Sequence, residues 1–516
     1  MNKKSIVASL FLYWICFFFL LPHFLHQVDP DGIAYLNQAK LYFKADFKTA
    51  INGCWSPLFP LILSPFIKFG IDPLIMCRIL NGIFSCLILF SVNGLVQKMR
   101  VSYPFYLKLL PFVICIITLS MTFYLLGPDI LQTLLLSVLL NIVLRENFFS
   151  RNRNIMLAAF IGAVAYLAKA YNFSLIILFA GILFTLHYLW TTKRLFSAAL
   201  FKKLGFFYLF FLLFSAPYII IISIKYQRVT FSTAGAITMH KSLEPGDFFS
   251  VDALPFVPPP SAYSLASSDD PSLIVPHTVN MLTSKHYFFK EIKIFFATII
   301  EYTKILNSVS VISITILLLF LFYLYKEKMG FDFKARLFVF TLLYPLGYFL
   351  IAIEWRYVWI NIFTILLMLS LLLDHLYHQK LMPKKIVHII SFLALLSFCI
   401  SPILNLRKNP SGEAAYQMSV DLKKNGLTGN FVYDPNHKFD YYFVSYFNNS
   451  KCFGIYNTAF TNQDIISNKD RYSIKYIFCY YRDDTEKKQI LLSALNEISS
   501  KVYDTQIRNL VVFELK

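Results

Sequence analysis

The chain has 516 residues, of which 57% are apolar, 18% aromatic and only 15% charged. A soluble domain carries about 25% charged residues, so the deficit excludes a disordered chain and argues against an ordinary cytosolic enzyme. The net charge of +19, from 48 basic and 29 acidic residues, comes without any nucleic-acid motif, and basic loops retained on the inner side of a membrane account for it.

In chain order, Lys3 and Lys4 precede an apolar run with no small-residue cleavage site after it, which reads as an uncleaved first transmembrane helix over 5–23. A span needs about 20 apolar residues. Ten further candidates follow at 74–97, 103–126, 129–145, 154–169, 172–190, 203–224, 305–325, 335–353, 356–374 and 385–403. Residues 57–69 are apolar but short and hold Pro57, Pro60 and Pro65, which predicts an interfacial or broken helix. With eleven spans, the Lys/Arg clusters after spans two, four, six, eight and ten share one side with Lys3 and Lys4, as the positive-inside bias requires. The segments 24–73, 225–304 and everything beyond about 404 then lie outside. The last reads as a small α/β domain, with a helix over 412–425, strand-like runs at 431–433, 452–456, 473–479 and 509–514, and a helical pattern over 485–498. Domain boundaries are expected at 1–404 and 405–516. The eight cysteines show no C-x-x-C spacing, and Cys452 and Cys479 are the one pair placed for a disulfide.

Four loop positions are candidates for chemistry, each with a structural alternative. Asp29 and Asp31 sit in Asp29-Pro30-Asp31-Gly32, just past the first span. Pro-Asp-Gly is a good turn signal, but a carboxylate at this boundary is also placed to take a proton from an acceptor. Tyr35 and Ala39 follow Asp31 at helical spacing, so a surface helix starts at the aspartate. Asp129, after Gly127-Pro128, is either a helix cap or a second carboxylate on that side, able to share a divalent cation such as Mg2+ or Mn2+ with Asp31. Lys169 is either a snorkelling lysine or a phosphate contact. Glu354-Trp-Arg356-Tyr357 is either an ion pair stitching a turn or a fork-shaped phosphate site built on Arg356. His240, His277 and His286 lack metal-ligand spacing, and the 225–304 loop is placed to cover a cavity.

The string Asp31…Tyr35…Ala39…Trp55-Ser-Pro57-Leu-Phe-Pro60 resembles the multi-spanning GT-C glycosyltransferases, more narrowly the branch of protein O-mannosyltransferases and the lipid A aminoarabinose transferase. Glu354-Trp-Arg356-Tyr357 resembles their late Glu-x-Arg-Tyr motif, and Lys169 sits where they often place a basic residue. The resemblance implies an α-helical polytopic fold and transfer of a sugar from a polyprenyl-phosphate donor to a lipid, glycan or protein acceptor at the outer face, and the high Lys, Asn, Ile and Phe usage, that of an AT-rich bacterial gene, points to undecaprenyl phosphate as the carrier. It implies that Asp31 activates the acceptor, that Asp129 assists metal or acceptor binding, and that Lys169 and Arg356 hold the donor phosphate, with Asp29, Tyr35, Trp55, Glu354 and Tyr357 in support. Gly32 departs from the pattern, where a second acidic residue often stands. A transporter or flippase of a lipid-linked saccharide, predicting internal repeats and mid-membrane charges, and a non-catalytic envelope assembly factor are the competing readings. The assembly factor is the reading that would place Asp31 and Arg356 on opposite flanks.

Overall fold

The structure is a computed structural model. It describes the chain except for residues 195–196, 245–255, 274–278, 328–329, 434–439, 456–461, 481–488, 490–492, 494 and 506–509.

Inside hydrocarbon every backbone N–H and C=O must be paired within the chain, so the apolar runs fold as helices. Among the described residues, seven helices are long and apolar enough to cross a membrane: Lys3–Leu20, Pro73–Lys98, Pro104–Tyr124, Tyr171–Thr192, Ala198–Lys225, Trp355–His378 and Lys384–Asn405. The other four expected spans differ from the sequence reading. Two are short helices, Asp129–Val143 and Asn152–Ala168. A third is broken, because Lys285–Val309 meets Ser313–Lys326 at 102°. There Ser310 turns to extended backbone, and its hydroxyl pairs with that of Ser397 at 2.6 Å. The fourth is cut at Tyr344-Pro345 into Phe333–Leu343 and Leu346–Phe349. By length, seven spans qualify, or eight with the bent pair, against the eleven expected. A hydropathy window registers apolar content but not a turn within it. The proline-containing Leu58–Ile67 helix is short, as expected.

The Trp355–His378 helix forms the centre of the bundle. Trp359 and the residues from Ile362 to Met368 are buried all round. Lys3–Leu20 lies at the edge. It buries Ile6, Ser9, Tyr13 and Phe17 at helical spacing and leaves Phe11, Phe18 and Phe19 exposed. That one-sided pattern fits a helix facing lipid on its outer side.

The C-terminal part carries one five-stranded sheet. Its strands are β1 (Asn430–Tyr433), β2 (Cys452–Ile455), β3 (Ile474–Tyr480), β4 (Ser499–Thr505) and β5 (Leu510–Leu515), in the order β2-β1-β3-β5-β4. β1 pairs in parallel with β2 and β3, and β5 runs antiparallel to β3 and β4. Helices Glu413–Lys424, Asp440–Asn448 and Asn462–Tyr472 accompany it. β4 and the last two of these helices were not expected from the sequence. The pattern over 485–498, like His277, falls largely or wholly outside the described residues. Cys452 and Cys479 are buried on β2 and β3 with β1 between them, and no disulfide joins them.

This part docks at one end of the bundle. Glu413 reaches His26 at 2.7 Å, Tyr416 stacks on His26, and Tyr442 donates to buried Asp269 at 2.8 Å. Gly412 allows the approach, because a Cβ there would lie 2.4 Å from the His26 carbonyl oxygen. Basic side chains gather at the other end. Lys98 donates to Asn141, Arg336 to the carbonyls of Val143 and Arg145, and Lys203 to Asn152.

Candidate active site

Asp29, Pro30 and Asp31 start the Pro30–Phe43 helix. Asp29 is its N-cap, with one carboxylate oxygen accepting from Gly32 N at 2.7 Å and the other from Leu126 N at 3.0 Å. Burial, then the neighbouring Asp31, raises the Asp29 carboxyl to about 6. Gly32 is steric in origin: a Cβ there would stand 2.6 Å from Leu126 Cβ and 2.7 Å from Asp29 Oδ1. A second acidic side chain has no room at that position.

Asp31 occupies the first turn and meets Arg356 across the bundle, Oδ2 to Nη2 at 2.6 Å. Arg356 lies on the 3-10 turn Trp355–Val358, and its Nε is 2.8 Å from Glu354 Oε2. Its side chain is 12% exposed, against 36% for Asp31 and 53% for Glu354. Asp129 is the first residue of its helix and caps nothing. It pairs with Lys169, which sits in the junction between Asn152–Ala168 and Tyr171–Thr192. Burial lowers the Lys169 ammonium, and Asp129 opposes the shift. Tyr357 joins the two pairs. Lys169 Nζ lies 4.4 Å from its ring centre and the Arg356 guanidinium 5.1 Å, both within cation–π range. The four charged residues, far apart in sequence, therefore form one cluster.

Tyr35 packs edge-on against Trp55 at 5.5 Å and Phe59 at 6.3 Å, fixing the Asp31 helix to the following loop. Trp55 donates its indole N–H to Ser268 O at 3.1 Å. Sequence reasoning missed the Ser-Ser-Asp-Asp-Pro turn at 267–271 behind this contact. Asp269 accepts from Asn37, from Leu265 N at 2.7 Å and from Tyr442, while its carbonyl accepts from Gln38 and Asn52. Asp270 pairs with Lys225 at 2.6 Å and Tyr226 at 2.9 Å. The same segment bonds Ser242 to Ile351 O at 2.7 Å. The described residues of 225–304 are partly helical and are tied to both flanks of the site. Also missed was a tyrosine stack, in which Tyr171 faces Tyr348 at 3.8 Å and Tyr348 faces Tyr357 at 4.3 Å.

Asp31 and Asp129 each carry a basic partner, whose positive charge would oppose a cation. Among the described residues no group of three His, Cys, Asp or Glu side chains is placed for a metal.

No protein-family model and no curated protein sequence matches the chain. Solved structures do. ArnT from Cupriavidus metallidurans in the apo state aligns at TM-score 0.57 and 10% identity over 99% of this chain and 98% of that one. The same protein bound to undecaprenyl phosphate aligns at 0.55 and 10% over 100% and 98%. The Archaeoglobus fulgidus oligosaccharyltransferase in the apo form aligns at 0.56 and 11% over 97% and 73%, and it has also been solved with Zn and sulfate and with dolichol-phosphate and an inhibitory peptide. The chain is thus a helical polytopic membrane protein with a GT-C-like fold along nearly its whole length.

Proposed function

We propose that this chain transfers a sugar from a polyprenyl-phosphate-linked donor to an acceptor at the outer face of a bacterial inner membrane, with undecaprenyl phosphate as the carrier. The observation that carries the reading is the Asp31–Arg356 pair beside Lys169–Asp129, gathered around Tyr357 at one end of an apolar bundle. The fold supports it, because its solved neighbours include complexes with undecaprenyl phosphate and dolichol-phosphate. The separation of the ends supports the orientation: basic caps gather at one end, the expected inner side, and the site and the C-terminal sheet at the other. In this reading residues 1–404 form the membrane domain and 405–516 an extracytoplasmic one.

A lipid-linked sugar keeps its tail in the bilayer while its acceptor can be polar, so the reacting carbon must meet the acceptor at the interface. The acceptor oxygen or nitrogen attacks the anomeric carbon, and the bond from that carbon to the phosphate oxygen breaks. Its electron pair leaves with the phosphate, whose growing charge Arg356 and Lys169 stabilise. One such preorganised contact is worth about 3 kcal/mol. Asp31 takes the acceptor proton from the opposite face of the sugar, giving a single displacement with inversion.

The test is an assay in nanodiscs with lipid-linked sugars extracted from the source membrane, following release of free polyprenyl phosphate by mass spectrometry. Release by the wild type and its loss in Asp31→Asn are expected. Equal release by both would sink the mechanism, and absence of release by the wild type would sink the function.

A further inference from the structure

The charged groups of the site already bind one another. Arg356 pairs with Asp31 at 2.6 Å through Nη2, a Glu354 carboxylate oxygen lies 2.8 Å from its Nε without a hydrogen bond, and Lys169 pairs with Asp129. Without ligand, the Arg356 Nη2 that faces Asp31 is occupied by that carboxylate, and the Asp31 oxygen nearest it is engaged by the guanidinium. A guanidinium binds carboxylates and phosphates by the same fork of N–H donors, so the two anions compete for one seat. The pairs differ in how readily they part. Asp31 is 36% exposed in the first turn of its helix, whereas Asp129 is 3% exposed. Asp129 also packs into the space that Gly127 leaves open, where a Cβ would lie 2.9 Å from its Oδ2.

Resting on the function proposed above, we propose an ion-pair exchange: the donor phosphate displaces Asp31 from Arg356 and so binds before the acceptor. The freed carboxylate then turns to the acceptor, and its proton-accepting oxygen becomes available only when a donor is bound. Lys169 takes no part in the exchange; Asp129 and the Tyr357 ring hold it in position. The arrangement disfavours acceptor activation, and loss of the donor sugar to water, in the absence of correctly seated donor.

Farnesyl phosphate binding in nanodiscs tests this. Asp31→Asn removes the competitor, and affinity should rise at least five-fold. Asp129→Asn removes the same charge but not the competitor for Arg356, and affinity should stay the same or fall. Equal tightening in both variants would reduce the effect to charge removal and overturn the exchange, as would unchanged binding in Asp31→Asn. A second measurement needs no variant: carbodiimide labelling of Asp31 in the wild type should rise at least three-fold on adding farnesyl phosphate, and an unchanged or lower yield would also overturn the exchange. Wild-type protein that binds no prenyl phosphate would overturn the proposed function itself, whereas binding without the Asp31→Asn effect leaves that function standing.

Discussion

Each end of the bundle carries a polar cluster with acid and base side chains in contact, and in the reading proposed above only one is arranged for chemistry. At the end with the basic caps, Ser102 Oγ lies 2.7 Å from His378 Nε2, and Asp374 is 3.6 Å from the same nitrogen. A Ser-His-Asp triad needs the carboxylate on the opposite ring nitrogen. Here Asp374 instead accepts from Ser102 N at 2.8 Å and Tyr103 N at 2.9 Å. It thereby caps, from a distant helix, the start of Pro104–Tyr124, whose own N-cap side chain makes no capping bond. At the other end the carboxylates face bases across the bundle. Removal of those bases would leave charge without a partner, and a phosphate has a seat to take. Residue types alone do not separate the two clusters; the atom each carboxylate touches does.

That contrast is open to attack at several strengths. The largest effect is expected from Arg356→Gln, which removes both the phosphate fork and the partner of Asp31. Transfer should fall by roughly 10³-fold, with Lys169→Gln nearer 10²-fold, read as prenyl phosphate release per minute. Next comes the 225–304 segment. Asp269→Ala leaves the donors of Asn37, Leu265 and Tyr442 unpaired, which should cost about 3 kcal/mol, seen as a lower melting temperature in detergent. Asp29 gives a pH signature. Its carboxyl is raised to about 6 in the folded chain, against about 3.9 unfolded. Its contribution to stability is therefore fully present below about pH 4 and is lost as pH rises through about 6, on the order of 2 kcal/mol across that window. Asp29→Asn should flatten the melting temperature between pH 4 and 7 relative to the wild type. The smallest effect belongs to the false triad: Ser102→Ala should cost about 1 kcal/mol or less and leave transfer within two-fold. A large loss of transfer in Ser102→Ala would erase the distinction between the two ends.

The sequence was most legible where one physical signal dominated. Apolar runs placed the helices, and Asp29-Pro30-Asp31 placed the start of a helix with Tyr35 on its face. Span number was less legible, because a hydropathy window passes over the break at Pro345 and the shortness of Asp129–Val143 and Asn152–Ala168, and the turn at Ser310 pairs with Ser397 on a distant helix. The site residues could be nominated one at a time, but pairing Asp31 with Arg356 spans more than 300 positions and is set by tertiary packing. Asp269 escaped attention because Ser-Ser-Asp-Asp-Pro reads as an ordinary solvated turn. Its partners Asn37 and Tyr442 come from either end of the chain. Gly32 looked like a gap in a motif, whereas Leu126 leaves it no space for a side chain.

The central claim is that the paired end of the bundle holds a lipid phosphate. Mass spectrometry of lipid retained by protein purified from its own membrane tests this most directly. The account predicts a polyprenyl phosphate, free or sugar-linked, on the wild type, and its loss from a Lys169→Gln/Arg356→Gln double variant that remains folded. Ordinary phospholipid alone on the wild type, or the same polyprenyl phosphate on both proteins, would contradict it.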